Sequence, residues 1–186
     1  MLNLAQINNK VGLINENMMN RYFISTGWKK IEGEVGRNGI DGLFIKSNKM
    51  GIINDVLIVE SKYNKSGLQY TNHGKQMTKQ WIYKKIENLK VKYPDDKNYK
   101  QLVKFIDNNN YRSRLWNMKI EEKNLILDVK KLNDKNGELI KETLSGGHKI
   151  KLMQSDNNKI NIDSPRNSFQ KSIIDWYTDE IKNIKL

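Results

Sequence analysis

The stretch Val56-Leu57-Ile58-Val59-Glu60-Ser61-Lys62 decides the fold, because four apolar residues run directly into three polar ones. A continuous run of branched apolar residues is typical of a central strand that other elements cover on both faces. The polar residues at its end are then expected at the border of the core. Residues two apart on a strand project to the same face, so Glu60 and Lys62 should point the same way.

The hydrophobic pattern on either side of this strand predicts alternating helices and strands. The central strand, residues 52–62, follows a strand at 40–46 across a turn at 48–51, which predicts an antiparallel hairpin. The other predicted helices are residues 5–25, 75–92, 99–107 and one that opens at Ser164-Pro165; the other predicted strands are 28–34, 111–120, 125–132, 139–144 and 148–153, with a turn at 134–137. This order predicts an α/β or α+β domain in which helices flank a mixed sheet.

Length and composition limit the possible function classes. The 186 residues fit a single domain, with a core at about 5–132 and a hairpin region and C-terminal helix at about 133–186. The 33 basic and 21 acidic residues give a net charge of +12, which suggests a polyanionic partner such as nucleic acid or an anionic membrane surface. An AT-rich genome, which favours lysine, is an alternative origin of part of this charge.

The composition also restricts the kind of metal site. The chain has no cysteine and only two histidines, which excludes disulfides and thiolate sites and disfavours a histidine-rich zinc site. A catalytic metal would therefore depend on carboxylates, which suits Mg²⁺, Mn²⁺ or Ca²⁺. No apolar run approaches the roughly 20 residues of a membrane span, and residues 1–10 have no hydrophobic region of a signal peptide, so neither is expected.

Two carboxylates are expected to meet at the end of the central hairpin. Asp41 alternates in phase with Leu43 and Ile45, so it should lie on the face that these residues bury. Antiparallel pairing would bring it opposite Glu60, where a buried acid is costly unless a cation or hydrogen bonds compensate for it. Glu16, on the preceding helix, could complete a cation site. Hydrogen bonding of Asp41 to the glycine-rich loop and simple solvent exposure of Glu16 remain alternatives.

A basic segment follows the central strand. Residues 65–104 hold ten lysines and three acids, interspersed with one tryptophan and four tyrosines. Such a segment could contact a nucleic-acid backbone and stack on bases. The predicted helix start at 75–79 would add free backbone amides that favour phosphate. The alternative is a solvated helix face with Trp81 in the core.

The ordered set of these motifs resembles the PD-(D/E)xK nuclease superfamily. The set consists of helix-borne Glu16, Gly39-Ile40-Asp41-Gly42, Val59-Glu60-Ser61-Lys62-Tyr63, Gly74-Lys75-Gln76-Met77 and Trp81-Ile82. More narrowly, it is similar to the C-terminal nuclease domains of bacterial polymorphic toxins, including contact-dependent inhibition toxins and secretion-system effectors. The resemblance spans roughly residues 8–90, and Ile40 stands where the signature has proline.

The resemblance implies a restriction-endonuclease-like fold and a role for each matching residue. Asp41 and Glu60 would bind a divalent metal together with the Ser61 carbonyl, Lys62 would be the catalytic lysine, Glu16 an accessory acid and Gln76 an accessory polar residue near the scissile phosphate. The metal would foremost be Mg²⁺, with Mn²⁺ or Zn²⁺ as alternatives. The predicted substrate-binding residues are Lys75, Lys79, Arg37 and Trp81.

The function implied is a metal-dependent endonuclease. DNA is favoured over RNA because the Gly-Lys-Gln-Met segment is more similar to the DNase members. Such a toxin acts in the cytoplasm of a target bacterial cell, does not insert into the membrane, and has an acidic immunity protein as its partner. A tRNA-cleaving toxin of the same fold, a restriction or repair nuclease, and a non-catalytic nucleic-acid-binding module are the alternatives.

Overall fold

The computed structural model describes residues 4–34, 39–64, 66–133, 135–139 and 158–184. Its helices are α1 (Leu4–Ser25), α2 (Lys79–Lys92), α3 (Lys97–Asp107) and α4 (Ser168–Asn183). Its strands are β1 (Lys29–Ile31), β2 (Gly42–Ser47), β3 (Ile53–Tyr63), β4 (Tyr70–Thr71), β5 (Gly74–Lys75), β6 (Arg112–Glu121), β7 (Asn124–Asn133), β8 (Glu138–Leu139) and β9 (Lys159–Asn161). The predicted mixed α/β class is confirmed for this part of the chain.

The main sheet is mixed and has β3 in its interior. The strand order is β1-β2-β3-β6-β7-β8, with β9 also paired to β7. Strands β2 and β3 form the predicted antiparallel hairpin, whereas β3 and β6 run parallel. A parallel pair needs a long crossover connection, and here α2 and α3 lie in that connection.

Two hydrophobic clusters cover the two faces of the sheet, which confirms that β3 is a central strand. Leu57 and Val59 pack with α1 and α4 in one cluster, and Val56 and Ile58 pack with α2 and α3 in the other. All four side chains are at most 2% exposed. The continuous apolar run is therefore explained by burial on both faces, and it ends where Glu60 begins the polar segment.

Two predicted helix starts are wrong. Helix α2 begins at Lys79 rather than at residue 75, because Thr78 caps it and Gly74 and Met77 have positive φ angles of 95° and 67° that no α-helix contains. Residues 70–75 instead form the short β4–β5 hairpin. Helix α4 begins after Asn167, whose side chain accepts a hydrogen bond from the Gln170 amide, and not at Ser164-Pro165.

The second half of the chain agrees with the sequence only in part. Strands β7 and β8 pair across the predicted turn, and Gly137 within it has a φ angle of 64°. Strand β9 has no counterpart among the predicted strands. The strand predicted at 148–153 and most of that at 139–144 lie outside the described residues. Within the described ranges, no helix is both long and apolar enough to cross a membrane.

Candidate functional site

Strands β2 and β3 bring Asp41 to the polar end of the central strand. Gly42 pairs with Val59, and continuing this register by one residue places Asp41 beside Glu60. The Ser61 amide donates a hydrogen bond to Asp41 Oδ2 at 2.9 Å. Residues 35–38 of the glycine-rich loop, the alternative partner of Asp41, lie outside the described residues. Helix α1 packs closely against β2 here. If Gly42 had a Cβ atom, that atom would lie 2.8 Å from the methyl carbon of Met19 on α1.

Glu60 is a buried carboxylate with only one of its oxygens satisfied. The residue is 1% exposed. Its Oε1 accepts hydrogen bonds from Lys62 Nζ at 2.9 Å and from Gln76 Nε2 at 2.6 Å. Its Oε2 is buried and has no hydrogen-bond donor among the described residues. An orphaned oxygen of this kind is costly in the protein interior, so the site has an unmet need for a donor or a cation.

Gln76 is held by the β4–β5 hairpin and not by a helix N-terminus. Its backbone amide donates to the Gln69 carbonyl at 2.9 Å, and its side-chain Oε1 accepts from the Gln69 amide at 2.8 Å. The side-chain amide is thereby fixed with its nitrogen toward Glu60. Gln76 therefore lies beside Glu60, but the β4–β5 hairpin and not the predicted helix start brings it there.

Helix α1 reaches the same site through two consecutive residues. Asn15 is 2% exposed; its side chain donates to Ser61 Oγ at 2.7 Å and accepts from Trp116 Nε1 at 2.9 Å. These bonds fix the helix against β3 and β6. The next residue, Glu16, lines a cavity of about 280 Å³ together with Asp41. The cavity is also lined by Lys30, Glu32, Gly33, Glu34, Gly39 and Ile40.

The three clustered acids repel one another and are poorly solvated. Burial, followed by repulsion from Asp41, raises the pKa of Glu60 to about 8 and that of Glu16 to about 7. Burial also raises the pKa of Asp41, although the Ser61 amide and Lys62 act against this rise. The charged state of the cluster is thus unfavourable in the free protein, and a bound cation would relieve it.

Lys85 belongs to this site although the sequence analysis did not select it. It lies on the buried side of α2 at 5% exposure, with its ammonium 5.4 Å from the centre of the Trp81 ring. Burial lowers its pKa, and the Glu60 charge opposes that shift. Its place four residues after Trp81 and four before Leu89, in an otherwise apolar stripe, was the available signal.

The predicted substrate-binding residues separate into different environments. Trp81 is fully buried in the cluster between α2, α3 and the sheet, so it is a core residue and its ring cannot stack on a base. Lys75 and Lys79 both line an open cavity beside α2. Lys79 also donates a hydrogen bond to the Asp107 carbonyl at 3.0 Å. Arg37 lies outside the described residues.

The donor set suits a hard divalent cation. Asp41, the orphaned Oε2 of Glu60 and the Ser61 carbonyl are all oxygen donors at one point of the sheet, which is the chemistry that Mg²⁺ and Mn²⁺ prefer. In the described part of the chain, no three histidine or carboxylate side chains converge closely enough to count as a metal group by themselves. A cation here would therefore keep several waters, as Mg²⁺ usually does.

Comparison of the chain with protein-family models, curated proteins and solved structures gives no match in any of the three. The chemistry of Asp41, Glu60, Lys62 and their neighbours is therefore the basis for a functional assignment. These residues form a cluster of acids beside a lysine, at the polar end of β3, in a strongly basic protein.

Proposed function

We propose that this protein is a metal-dependent endonuclease that hydrolyses phosphodiester bonds, with the site at the polar end of β3. The observation that carries the proposal is the buried Glu60 carboxylate, whose Oε2 finds no donor among the residues that the structure describes, while Lys62 and Asp41 lie beside it. A protein that needed only basic charge to bind nucleic acid would gain nothing from buried acids at this position. They weaken phosphate binding and cost folding energy.

Asp41, Glu60 and the Ser61 carbonyl would hold the cation. When bound, such a cation neutralises charge on the phosphate and lowers the pKa of a coordinated water. Asp41 is oriented for this role by the Ser61 amide, and the Glu60 carboxylate is oriented by Gln76 and Lys62. The carboxylates are thus held in place before any ligand arrives, which reduces the cost of organising the site.

Lys62 supplies the positive charge beside the acids. Its side chain is 13% exposed and its ammonium lies 2.9 Å from Glu60 Oε1, on the same face of β3. From this position the ammonium would stabilise the negative charge that develops on the phosphate or orient the attacking water. Glu16, with its pKa raised to about 7, lines the adjoining cavity and would accept a proton near neutral pH.

The charge of the chain supports nucleic acid as the substrate. The net charge of +12 favours a polyanion, and the local excess of lysine in residues 65–104 lies directly after β3. We take DNA as the substrate, a restriction-endonuclease-like arrangement of the sheet, and the role of an antibacterial toxin from the family resemblance described above. That resemblance also implies action in the cytoplasm of a target bacterium and an acidic immunity protein as partner.

The proposal is tested by incubating the purified protein with DNA, both as plasmid and as single strand, and separately with total tRNA, in Mg²⁺, Mn²⁺ or EDTA. We expect DNA to be cut in Mg²⁺ or Mn²⁺ and not in EDTA. Asp41→Asn and Lys62→Ala should each lower the rate by more than about 100-fold, since both act on the reacting phosphate. Cutting of tRNA alone would keep the site assignment and change the substrate to RNA.

Matched controls separate chemistry from general charge. Asp95→Asn and Lys84→Ala remove one exposed acid and one exposed base away from the site, and both variants should retain wild-type rates. If neither nucleic acid is cut under any condition, while salt-sensitive binding is unchanged in Asp41→Asn, the protein is a binding module. The nuclease assignment is then wrong.

A further inference from the structure

A second cavity lies beside α2 and differs sharply from the acidic one. Its volume is about 700 Å³, and among the described residues its lining contains three lysines, two tyrosines and no acidic residue. The lining residues are Tyr70, Gly74, Lys75, Thr78, Lys79, Gln80, Tyr83, Lys135 and Asn136. The two walls of this cavity come from the β4–β5 hairpin with the start of α2 and from the turn between β7 and β8.

Both aromatic rings of the cavity are open to solvent. Tyr70 is 82% exposed and Tyr83 is 38% exposed. Exposed tyrosines beside several lysines match the composition of surfaces that bind single-stranded nucleic acid, where bases stack on rings and cations contact the backbone. An apolar partner would leave the three lysines of the described lining without a counter-charge, so a ligand with both a flat ring and negative charge fits best.

The cavity is joined directly to the acidic site through two consecutive residues. Lys75 lines the cavity, and the neighbouring Gln76 donates to Glu60 Oε1 at 2.6 Å. The turn between β7 and β8, which forms the second wall, packs closely against the backbone of Gln76. If Gly137 in this turn had a Cβ atom, that atom would lie 2.8 Å from the Gln76 carbonyl oxygen. A nucleic-acid strand bound at the acidic site would therefore reach the cavity within a short distance.

We propose that this cavity binds an unpaired nucleotide next to the phosphate at the proposed cation site of Asp41 and Glu60, so that the substrate is single-stranded nucleic acid. The inference rests on the proposed nuclease function and specifies the substrate class of that site. The base stacks on Tyr70 or Tyr83, and Lys75, Lys79 and Lys135 contact the backbone phosphates. In a duplex both faces of each base are already stacked on neighbours, so these rings find a partner only in an unpaired strand.

The test is a binding measurement that does not require cleavage. Fluorescein-labelled oligothymidylate of about 12 nucleotides, a length within the range one such surface covers, is titrated with protein in EDTA. A duplex of equal length is the comparison ligand. We expect tighter binding of the single strand, and a loss of roughly tenfold in Tyr70→Ala with Tyr83→Ala, as removal of a stacking ring usually gives. The double variant Tyr70→Phe with Tyr83→Phe keeps both rings and should bind as tightly as the wild type.

Two further measurements make the outcome decisive. Lys79→Ala should weaken binding and reduce its salt dependence, while the matched variant Lys84→Ala, on the same helix but outside the cavity, should not. Circular dichroism melts of each variant verify folding. Equal affinity for duplex and single strand, or wild-type binding by the double alanine variant, overturns the subsite. Binding as expected without cutting of single-stranded DNA or RNA in Mg²⁺ or Mn²⁺ retains the subsite and rejects the nuclease instead.

Discussion

The two ends of β3 each carry an acid, and the structure treats them in opposite ways. At one end Asp55 is paired with the Arg112 guanidinium, which donates to both carboxylate oxygens at 3.1 and 2.8 Å. At the other end Glu60 has two donors on one oxygen and, in the described part of the chain, none on the other. Asp55 is satisfied within the fold, whereas Glu60 is left incomplete. A buried carboxylate that lacks a hydrogen-bond donor indicates a ligand-binding role. A carboxylate that is fully paired indicates a role in the stability of the fold.

The largest effect is expected when the carboxylate charge is removed at each end of β3 in turn. Glu60→Gln keeps the Oε1 acceptor for Lys62 and Gln76 but cannot bind a cation as a carboxylate does. We expect it to lower nuclease activity by more than about 100-fold, since even supporting residues of metal sites cost 10–100-fold. Asp55→Asn should leave activity within twofold. Equal losses in the two variants would contradict the distinction between the ends of the strand.

The same two variants should have opposite effects on stability at alkaline pH. The pKa of Glu60 is raised from 4.5 to about 8, so its contribution to stability is complete below pH 4.5 and is lost as the pH rises through 8. Glu60→Gln removes this loss and should raise the Tm in EDTA at pH 8.5 by a few degrees, because about 1 kcal/mol corresponds to roughly 2–4 °C in a chain of this size. Near pH 4.5 the difference should disappear.

Asp55→Asn supplies the contrasting stability result. The Arg112 side chain is 56% exposed and that of Asp55 25%, so this pair contributes at most about 1 kcal/mol. Its loss should lower the Tm slightly at pH 8.5 rather than raise it. A higher Tm for Asp55→Asn, or a lower one for Glu60→Gln, would reverse the comparison.

The second prediction concerns divalent cations. Mg²⁺ or Mn²⁺ should raise the Tm of the wild type, and the rise should increase from pH 6 to pH 8 because the cation competes with protons for Glu60 and Asp41. Saturation at 100 times the dissociation constant would contribute about 2.7 kcal/mol. Asp55→Asn should respond as the wild type does, whereas Glu60→Gln should show no rise. A rise of equal size in Glu60→Gln would place the cation elsewhere.

The sequence predicted the parts of this site that depend on neighbouring residues of the same hairpin. The phase of Asp41 and the apolar run before Glu60 are local patterns, and antiparallel pairing converts them into proximity. The position of Lys62 relative to Glu60 follows from the same alternation along one strand. These features need no knowledge of the rest of the fold.

The features that were missed depend on backbone conformation or on contacts distant in sequence. Periodicity extended α2 back to residue 75, because it does not register the left-handed backbone of Met77 or the capping role of Thr78. Lys85 was not singled out among the lysines of residues 65–104, although it is buried at 5% exposure. At the start of α4, Ser164 was the predicted cap, but Asn167 caps the helix by accepting a hydrogen bond from the Gln170 amide.

The smallest expected effect concerns how each end of β3 is anchored to the elements around it. Asn15 connects α1 to Ser61 and Trp116, so Asn15→Ala leaves the buried indole N–H of Trp116 without an acceptor, which costs about 1–3 kcal/mol. We expect a moderate fall in Tm. We also expect a several-fold fall in kcat, because Asn15 no longer holds α1, which carries Glu16, at a fixed distance from Ser61.

Two variants tell whether this effect comes from position or from stability alone. Asn20, also on α1, has a side-chain oxygen that is already without a donor among the described residues, so Asn20→Ala should cost less stability. Arg112→Ala, at the other end of β3, should lower the Tm and leave kcat unchanged. If Arg112→Ala and Asn15→Ala reduce kcat in proportion to their loss of Tm, Asn15 acts only through stability. A fall in kcat confined to Asn15→Ala, measured well below both melting temperatures, assigns it to positioning the acidic end of the strand.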